Sequence, residues 1–548
     1  MRTEFVILEC LIFTALGWAT PLKPRSSSCR FAASYTLADI IANSSSFQYD
    51  YLSYESKFHA ANVSYNPLNG MTYDGTLLDV DTGYHNISGL HHFSAPSKEA
   101  QQNMIYALAL SGNRDAQIWV CSADPDSSAN KVYNILKTKL ATYQQFNQTF
   151  PGFGGLLPWY ANNGSMPLTP TSDWVNRMPS LDNGENIWSI YAIVSALETS
   201  DNSDYQDLGK QWQAYLDAIS VTAAQLFYLG DGNVCTVINL NQSVPLGSPA
   251  HNLSCPLTAQ PYLNDPFEGE LFTWFLYLYS PVLNDTDRDQ LWVQKRPQLI
   301  ATEYSGSVVN VSASDVNAVN YTGAPIVTPY SPNITVQKGF WFSAHEQWKI
   351  LEMPYLDDPL FRRVFHNAER ARTCDAKLIG NPGMFASVNN VTNPVTNDVY
   401  GYISYEGIPS IANQTTQELN VITPYSTMAT MMFNKTVGLA WVHNMLLGQG
   451  MQNPYGSSEA SNRDGSAISA FVSWDSKATT VVGLLGGVGN LVRAKLQREG
   501  KYSAFRTRLH DEFALTFGNI TLSGEDVDLC YPAVQIPSGG AVDFSGCQ

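Results

Sequence analysis

Basic residues are scarce in this chain. Lysine and arginine total 31 against 48 aspartates and glutamates, a formal charge of −17 with an isoelectric point near 4.9. That balance offers no cationic face, so neither nucleic acid nor an anionic membrane is expected as a partner. Long apolar runs are missing too. Past residue 19 nothing approaches the roughly 20 uninterrupted apolar residues that span a bilayer. The eight cysteines contain no C-x-x-C pair, which excludes a zinc ribbon or a dithiol redox motif. There is no G-x-S-x-G nucleophile elbow and no phosphate-binding loop. His345 and Glu346 open like a zincin helix, but Lys349 occupies the place of the second zinc ligand. Gly483, Gly486, Gly487 and Gly489 fall inside an apolar helical pattern, where close helix packing explains them better than a nucleotide does. No metal and no cofactor are therefore expected.

Residues 1–19 read as a secretory signal peptide: Arg2, an apolar run from Phe5 to Leu16, then Gly17, Trp18 and Ala19. N-x-S/T sequons from Asn43 to Asn519 agree with export and a glycosylated surface. In an oxidising compartment the cysteines left after Cys10 departs are expected to pair. Cys235 with Cys255 would close one loop and Cys530 with Cys547 would staple the tail; with seven cysteines remaining, at least one stays unpaired. Aromatics reach 12%, and Tyr and Trp planes suit the apolar ring faces of neutral sugars.

Helical periodicity dominates. Apolar residues recur every three or four positions in 98–111, 131–146, 185–198, 205–228, 266–279, 287–302, 338–352, 358–371, 426–446 and 476–496. Long loops rich in Gly, Pro, Asn and Ser join them, with short strands or hairpins near 233–240 and 399–405. Strand–helix alternation is absent, which excludes a Rossmann or TIM arrangement. The expectation is an all-α dominated chain, residues 20–548 forming one (α/α)6 barrel, or toroid, with a few short β-hairpins. A plain helical array is the alternative.

Three acidic clusters stand beside aromatics. Asp182 and Glu185 follow Trp159 and precede Trp188; as D-x-x-E they also spell a capping box. Asp265, Pro266 and Glu268 make a good helix start, yet Glu268 and Glu270 around Gly269 before an aromatic run are less ordinary. A carboxyl at the mouth of an apolar helix acquires the raised pKa that a general acid needs. The third cluster holds Glu459, Asp464 and Asp475. Asp464-Gly465 also reads as a turn, and Asp475 as an N-cap. All three clusters lie at predicted helix mouths, as residues sharing one cleft would.

Gly152 through Trp159, Asp182 through Trp188, Glu268-Gly269-Glu270, Gly339 through Trp348 and Ser473-Trp474-Asp475 together resemble the fungal endo-β-1,2-glucanases of glycoside hydrolase family 162. The resemblance runs through most of the chain. It implies the (α/α)6 barrel, a polysaccharide partner (β-1,2-glucan), a monomer, no cofactor and an inverting mechanism. Its general acid is a Glu, and its general base an Asp that reaches water through a substrate hydroxyl. The acid maps to Glu268, with Glu270 second, and the base to Asp464, with Asp475 second. Trp159, Asp182, Glu185, Trp188, Trp341, His345, Glu346, Trp348 and Glu459 are the expected substrate-binding residues. The rivals are a helical-barrel enzyme for another polysaccharide and a secreted glucan-binding protein without activity.

Overall fold

A computed structural model describes residues 28–541 and 543–547, apart from 164–167, 259, 307–332, 393–400 and 417–419. The expected signal peptide and the sequons at Asn310 and Asn320 lie outside the described residues. Helices dominate and fall into two kinds. Those of Pro96–Leu110, Ser180–Glu198, Glu270–Tyr279, Lys435–Leu446 and Trp474–Leu485 are buried along nearly their whole length. Those of Ser128–Thr149, Ser203–Phe227 and Pro359–Leu378 bury one face and wet the other, as amphipathic sequences do. Ser180–Glu198 packs against Pro96–Leu110, Ser203–Phe227, Glu270–Tyr279 and Gly489–Arg498, and Trp474–Leu485 packs back onto Pro96–Leu110. Distant ends of the chain thus meet over one continuous apolar cluster. Among the described residues no helix is long and apolar enough to cross a membrane.

Several expected helices are shorter than their periodicity, for identifiable reasons. The 476–496 pattern breaks into Trp474–Leu485 and Gly489–Arg498. Gly486 and Gly487 adopt φ of 87° and 68° there, which ends a helix cheaply only at glycine. The 287–302 pattern holds helix over Asp285–Val293, passes through a 3-10 turn at Arg296–Gln298 and becomes a strand at Ala301–Tyr304; Pro297 lacks the N–H that would continue an α-helix. Within 338–352 only Lys349–Glu352 is α-helical. Phe342 stands in the left-handed region there at φ 58°, and the Ser343–Glu346 capping box starts a fresh 3-10 turn. The helices Ser45–Glu55, Arg114–Val120 and Tyr502–Phe517 were not expected.

Strands are short and antiparallel. Gly75–Leu78 pairs with His85–Leu90 on one side and with Phe471–Ser473 on the other, Gly75 facing Ser473. That pairing sets Asp74 beside the start of the Trp474–Leu485 helix.

Three disulfides form: Cys29–Cys547, Cys235–Cys255 and Cys374–Cys530. The Cys235–Cys255 expectation agrees. The Cys530–Cys547 staple is corrected, because Cys547 instead meets Cys29 near the other end of the described chain and Cys530 meets the buried helix residue Cys374. Cys121 is buried outside all three.

Candidate active site

A cavity of about 430 Å³ opens among the N-terminal ends of the buried helices. Asp74, Lys98, Asp182, Glu185, Glu268 and Asp475 supply its charge, and Phe93, Trp159, Trp341, Trp348, Tyr402 and Tyr425 its aromatic walls. Local sequence explains how each wall is held. Asn183 pairs with the backbone of Leu157 through two bonds, 3.1 and 2.8 Å. This fixes Trp159 against the start of the Ser180–Glu198 helix, where its indole N–H donates to Asp182 at 2.8 Å. Trp159 stacks on Trp174 with centroids 5.5 Å apart.

Glu268 sits in a turn just before the Glu270–Tyr279 helix. Asp265 builds that turn by accepting the N–H groups of Phe267 and Gly269, both at 3.0 Å. A Cβ at position 269 would lie 1.9 Å from the Asp265 carboxyl, so only glycine fits between the two glutamates. Glu268 is therefore not the third residue of a capping box, and its carboxyl is left to the cavity. Burial first, then Asp265, Glu346, Asp182 and Asp475, pushes its pKa well above the usual carboxylate range.

Asp475 lies in the first turn of the Trp474–Leu485 helix. Its expected capping role belongs to Ser473, whose hydroxyl accepts the Ser476 N–H at 3.2 Å. Asp475 takes instead the Lys98 ammonium at 3.0 Å and the Gln101 amide at 3.0 Å. Asp182 is raised by burial, which the Lys98 charge and the Trp159 N–H oppose. Glu185 is raised well above its usual value by burial and then by Asp182, Glu352 and Glu268. Among the described residues neither of its oxygens has a protein partner, nor do the Tyr425 hydroxyl and the Trp348 indole N–H. Buried polar atoms are seldom left unpaired without a reason. These line a cavity, where a polyhydroxylated ligand satisfies them. His345 also lines it, its pKa lowered to about 3 by burial and Arg372, so it is neutral.

Five expected site residues stand elsewhere. Asp464 is exposed in an Asp-Gly turn, accepting the Ser466 N–H at 2.9 Å, with Gly465 at φ 70°; it is not among the residues that line the cavity. Glu270 is buried under it, bonded to Lys349 at 2.9 Å and Tyr355 at 2.6 Å. Trp188 is fully buried and donates to the Leu271 carbonyl, so it is a core residue and not a sugar platform. Glu346 caps its turn and accepts the Trp341 N–H at 2.8 Å. Glu459 accepts from Ser473 at 2.7 Å, Ser476 at 2.6 Å and Asn389 at 3.1 Å; it anchors the helix that carries Asp475. Sequence reasoning missed Asp74, Lys98, Asn389, Tyr402 and Tyr425. Only Lys98 carried a signal, being a lysine at the positive end of a helix, where a cation is disfavoured.

The family model for endo-β-1,2-glucanase SGL, glycoside hydrolase family 162, matches residues 71–548. The chain belongs to that family. It is 49% identical to the endo-β-1,2-glucanase of Talaromyces funiculosus solved with sophorose, covering 95% of this chain and 100% of that one at a TM-score of 0.88. A Glu-to-Gln variant of the Talaromyces enzyme solved with β-1,2-glucan is 48% identical, covering 96% and 100%, TM-score 0.88. The endo-β-1,2-glucanase of Chitinophaga pinensis is 11% identical over 85% of this chain and 98% of that one at a TM-score of 0.52, a likeness of fold alone. No curated protein sequence matches the chain.

Proposed function

We propose that this glucanase-family member is secreted and cuts β-1,2-glucan internally with inversion, Glu268 serving as general acid and Asp475 as general base. The observation that carries the roles is the unequal surroundings of two carboxyls lining one cavity. Burial and acidic neighbours raise the Glu268 pKa well above the usual carboxylate range, the direction that suits a proton donor to the leaving glycosidic oxygen. Asp475 rests on an ammonium and an amide, contacts that hold its carboxyl toward a water on the opposite ring face. Environments that separate two carboxyls in this way are how an acid and a base are told apart.

Trp159, Trp341 and Trp348 offer faces for the glucose rings, while Asp182, Glu185, His345 and Tyr425 offer polar atoms for hydroxyls. The buried helices whose N-terminal ends meet at the cavity support the (α/α)6 toroid; one domain over residues 20–548, acting as a monomer, belongs to the same proposal. Export after loss of residues 1–19 is supported by three disulfides and by exposed sequon asparagines such as Asn147 and Asn519.

Incubation with β-1,2-, β-1,3-, β-1,4- and β-1,6-glucans tests the reading. Early loss of β-1,2-glucan chain length with release of sophorose and short sophorooligosaccharides is expected. Glucose as sole product, or preference for another linkage, would overturn it. Binding without cleavage would leave a glucan-binding protein.

A further inference from the structure

Among the described residues lining the cavity, Lys98 is the only lysine or arginine. It is the third residue of the Pro96–Leu110 helix, where the helix dipole opposes a cation, and its side chain is only 12% exposed. Ordering and burying a lysine there costs free energy that the helix itself does not return. Its surroundings explain it. Asp475 comes from the Trp474–Leu485 helix at 3.0 Å, and Asp74 from the segment before Gly75–Leu78 at 3.9 Å. His91 holds the far oxygen of Asp74 at 3.0 Å. Asp182 faces the same ammonium from the Ser180–Glu198 helix, and Glu268 lines the cavity from the turn before Glu270–Tyr279. One turn along its own helix, Gln101 donates to the other oxygen of Asp475 at 3.0 Å.

We propose that Lys98 is a positioning residue for the general base: seated on Asp475 and backed by Gln101, it orients that carboxyl and supplies its counter-charge within a cluster of carboxyls. Without a cation, the carboxyls of Asp74, Asp182 and Asp475 would face one another with no counter-charge between them. Burial works to lower the Lys98 pKa, and the three aspartates outweigh it, so the net shift is upward and the cation persists across the working range. Each Asp475 oxygen then spends one lone pair on the Pro96–Leu110 helix and keeps another for the proton of water or of a sugar hydroxyl. Glu268 faces chiefly acidic neighbours. One cation, placed on one side of the cavity, therefore divides the acid from the base.

This inference rests on Asp475 being the base, and the experiment separates the two failures. The pH profile of kcat/KM on linear β-1,2-glucan is measured for the parent, Lys98→Met, Lys98→Gln, Lys98→Arg and Asp74→Asn, each checked by thermal melt. Removing the charge should move the acid limb upward by about one pH unit or more, the usual effect of an adjacent cation on an aspartate. Lys98→Arg should leave the limb in place, and Asp74→Asn, which frees Lys98 for Asp475, should move it down. An even loss of activity at every pH, with the limb unmoved, in Lys98→Met and Lys98→Gln would overturn the proposal. If neither folds, Asp74→Asn decides: a limb that stays or rises contradicts it. An active Asp475→Asn would instead sink the base assignment itself, whereas an inactive one with an unmoved limb in the Lys98 variants sinks only the role of Lys98.

Discussion

Glu268 and Glu270 lie two residues apart and meet different surroundings. Glu270 is locked to Lys349 and Tyr355 beneath the cavity, while Glu268 lines the cavity itself. Glu268→Gln keeps the size and removes the proton, so kcat should fall by roughly 10²–10⁴, the usual worth of general acid catalysis, with little change in melting temperature. Glu270→Gln should act the other way round. It leaves the buried Lys349 ammonium without its counter-charge, so stability falls by about 3 kcal/mol or more. Kinetics and melts on both variants check this; a stable, inactive Glu270→Gln beside an active Glu268→Gln would exchange the roles.

The base is tested by a pair of aspartates. Asp475→Asn should abolish turnover by roughly 10²-fold or more. Asp464→Asn, on an exposed turn, should keep kcat and KM near those of the parent. The opposite pattern would return the base to Asp464.

Tyr425 provides a test of the orphaned polar atoms. Its hydroxyl has no partner among the described residues, so Tyr425→Phe should not lower the melting temperature, and removal of an unsatisfied buried group tends to raise it. Loss of one hydrogen bond to sugar should lower kcat/KM by roughly 10-fold. Unchanged kinetics, measured on linear β-1,2-glucan, would remove Tyr425 from the substrate site.

Stability should depend on pH through Glu346. Burial raises its pKa from 4.5 to about 7, against the Trp341 and Ser343 N–H bonds and the Arg372 charge. A carboxyl raised in the folded state contributes stability that is complete below its unfolded pKa and is lost as pH climbs through the folded value. The melting temperature should therefore decline between about pH 4.5 and 8, Glu346 accounting for about 3 kcal/mol. Glu346→Gln preserves an acceptor for the Trp341 N–H, and its melts should flatten across that window. Equal slopes in parent and variant would contradict this.

Much of this was legible in the sequence, and the exceptions share a cause. Helices with strong periodicity, such as Ser128–Thr149 and Ser203–Phe227, were readable because burial of one face repeats every turn. Glu268, Asp182, Glu185 and Trp159 stood out as carboxyls and aromatics at helix mouths. The choice between Asp464 and Asp475 was not readable, because one read as a turn and the other as a helix cap, and only tertiary packing brings Asp475 to the cavity lining. Gln101 reaches Asp475 across 374 residues, a contact that no local pattern encodes. Trp188 misled for the converse reason: it follows the right motif but points into the core, its indole N–H bound to the Leu271 carbonyl.

The most direct test of the central claim, that Glu268 and Asp475 hydrolyse β-1,2-glucan from opposite faces of the ring, is the anomer first released. Proton NMR of β-1,2-glucan, recorded during the first minutes of hydrolysis, reads it before mutarotation. The account predicts that the α-anomer of the new reducing end appears first and the β-anomer grows in later. Initial appearance of the β-anomer would mean retention through a covalent intermediate and would contradict it.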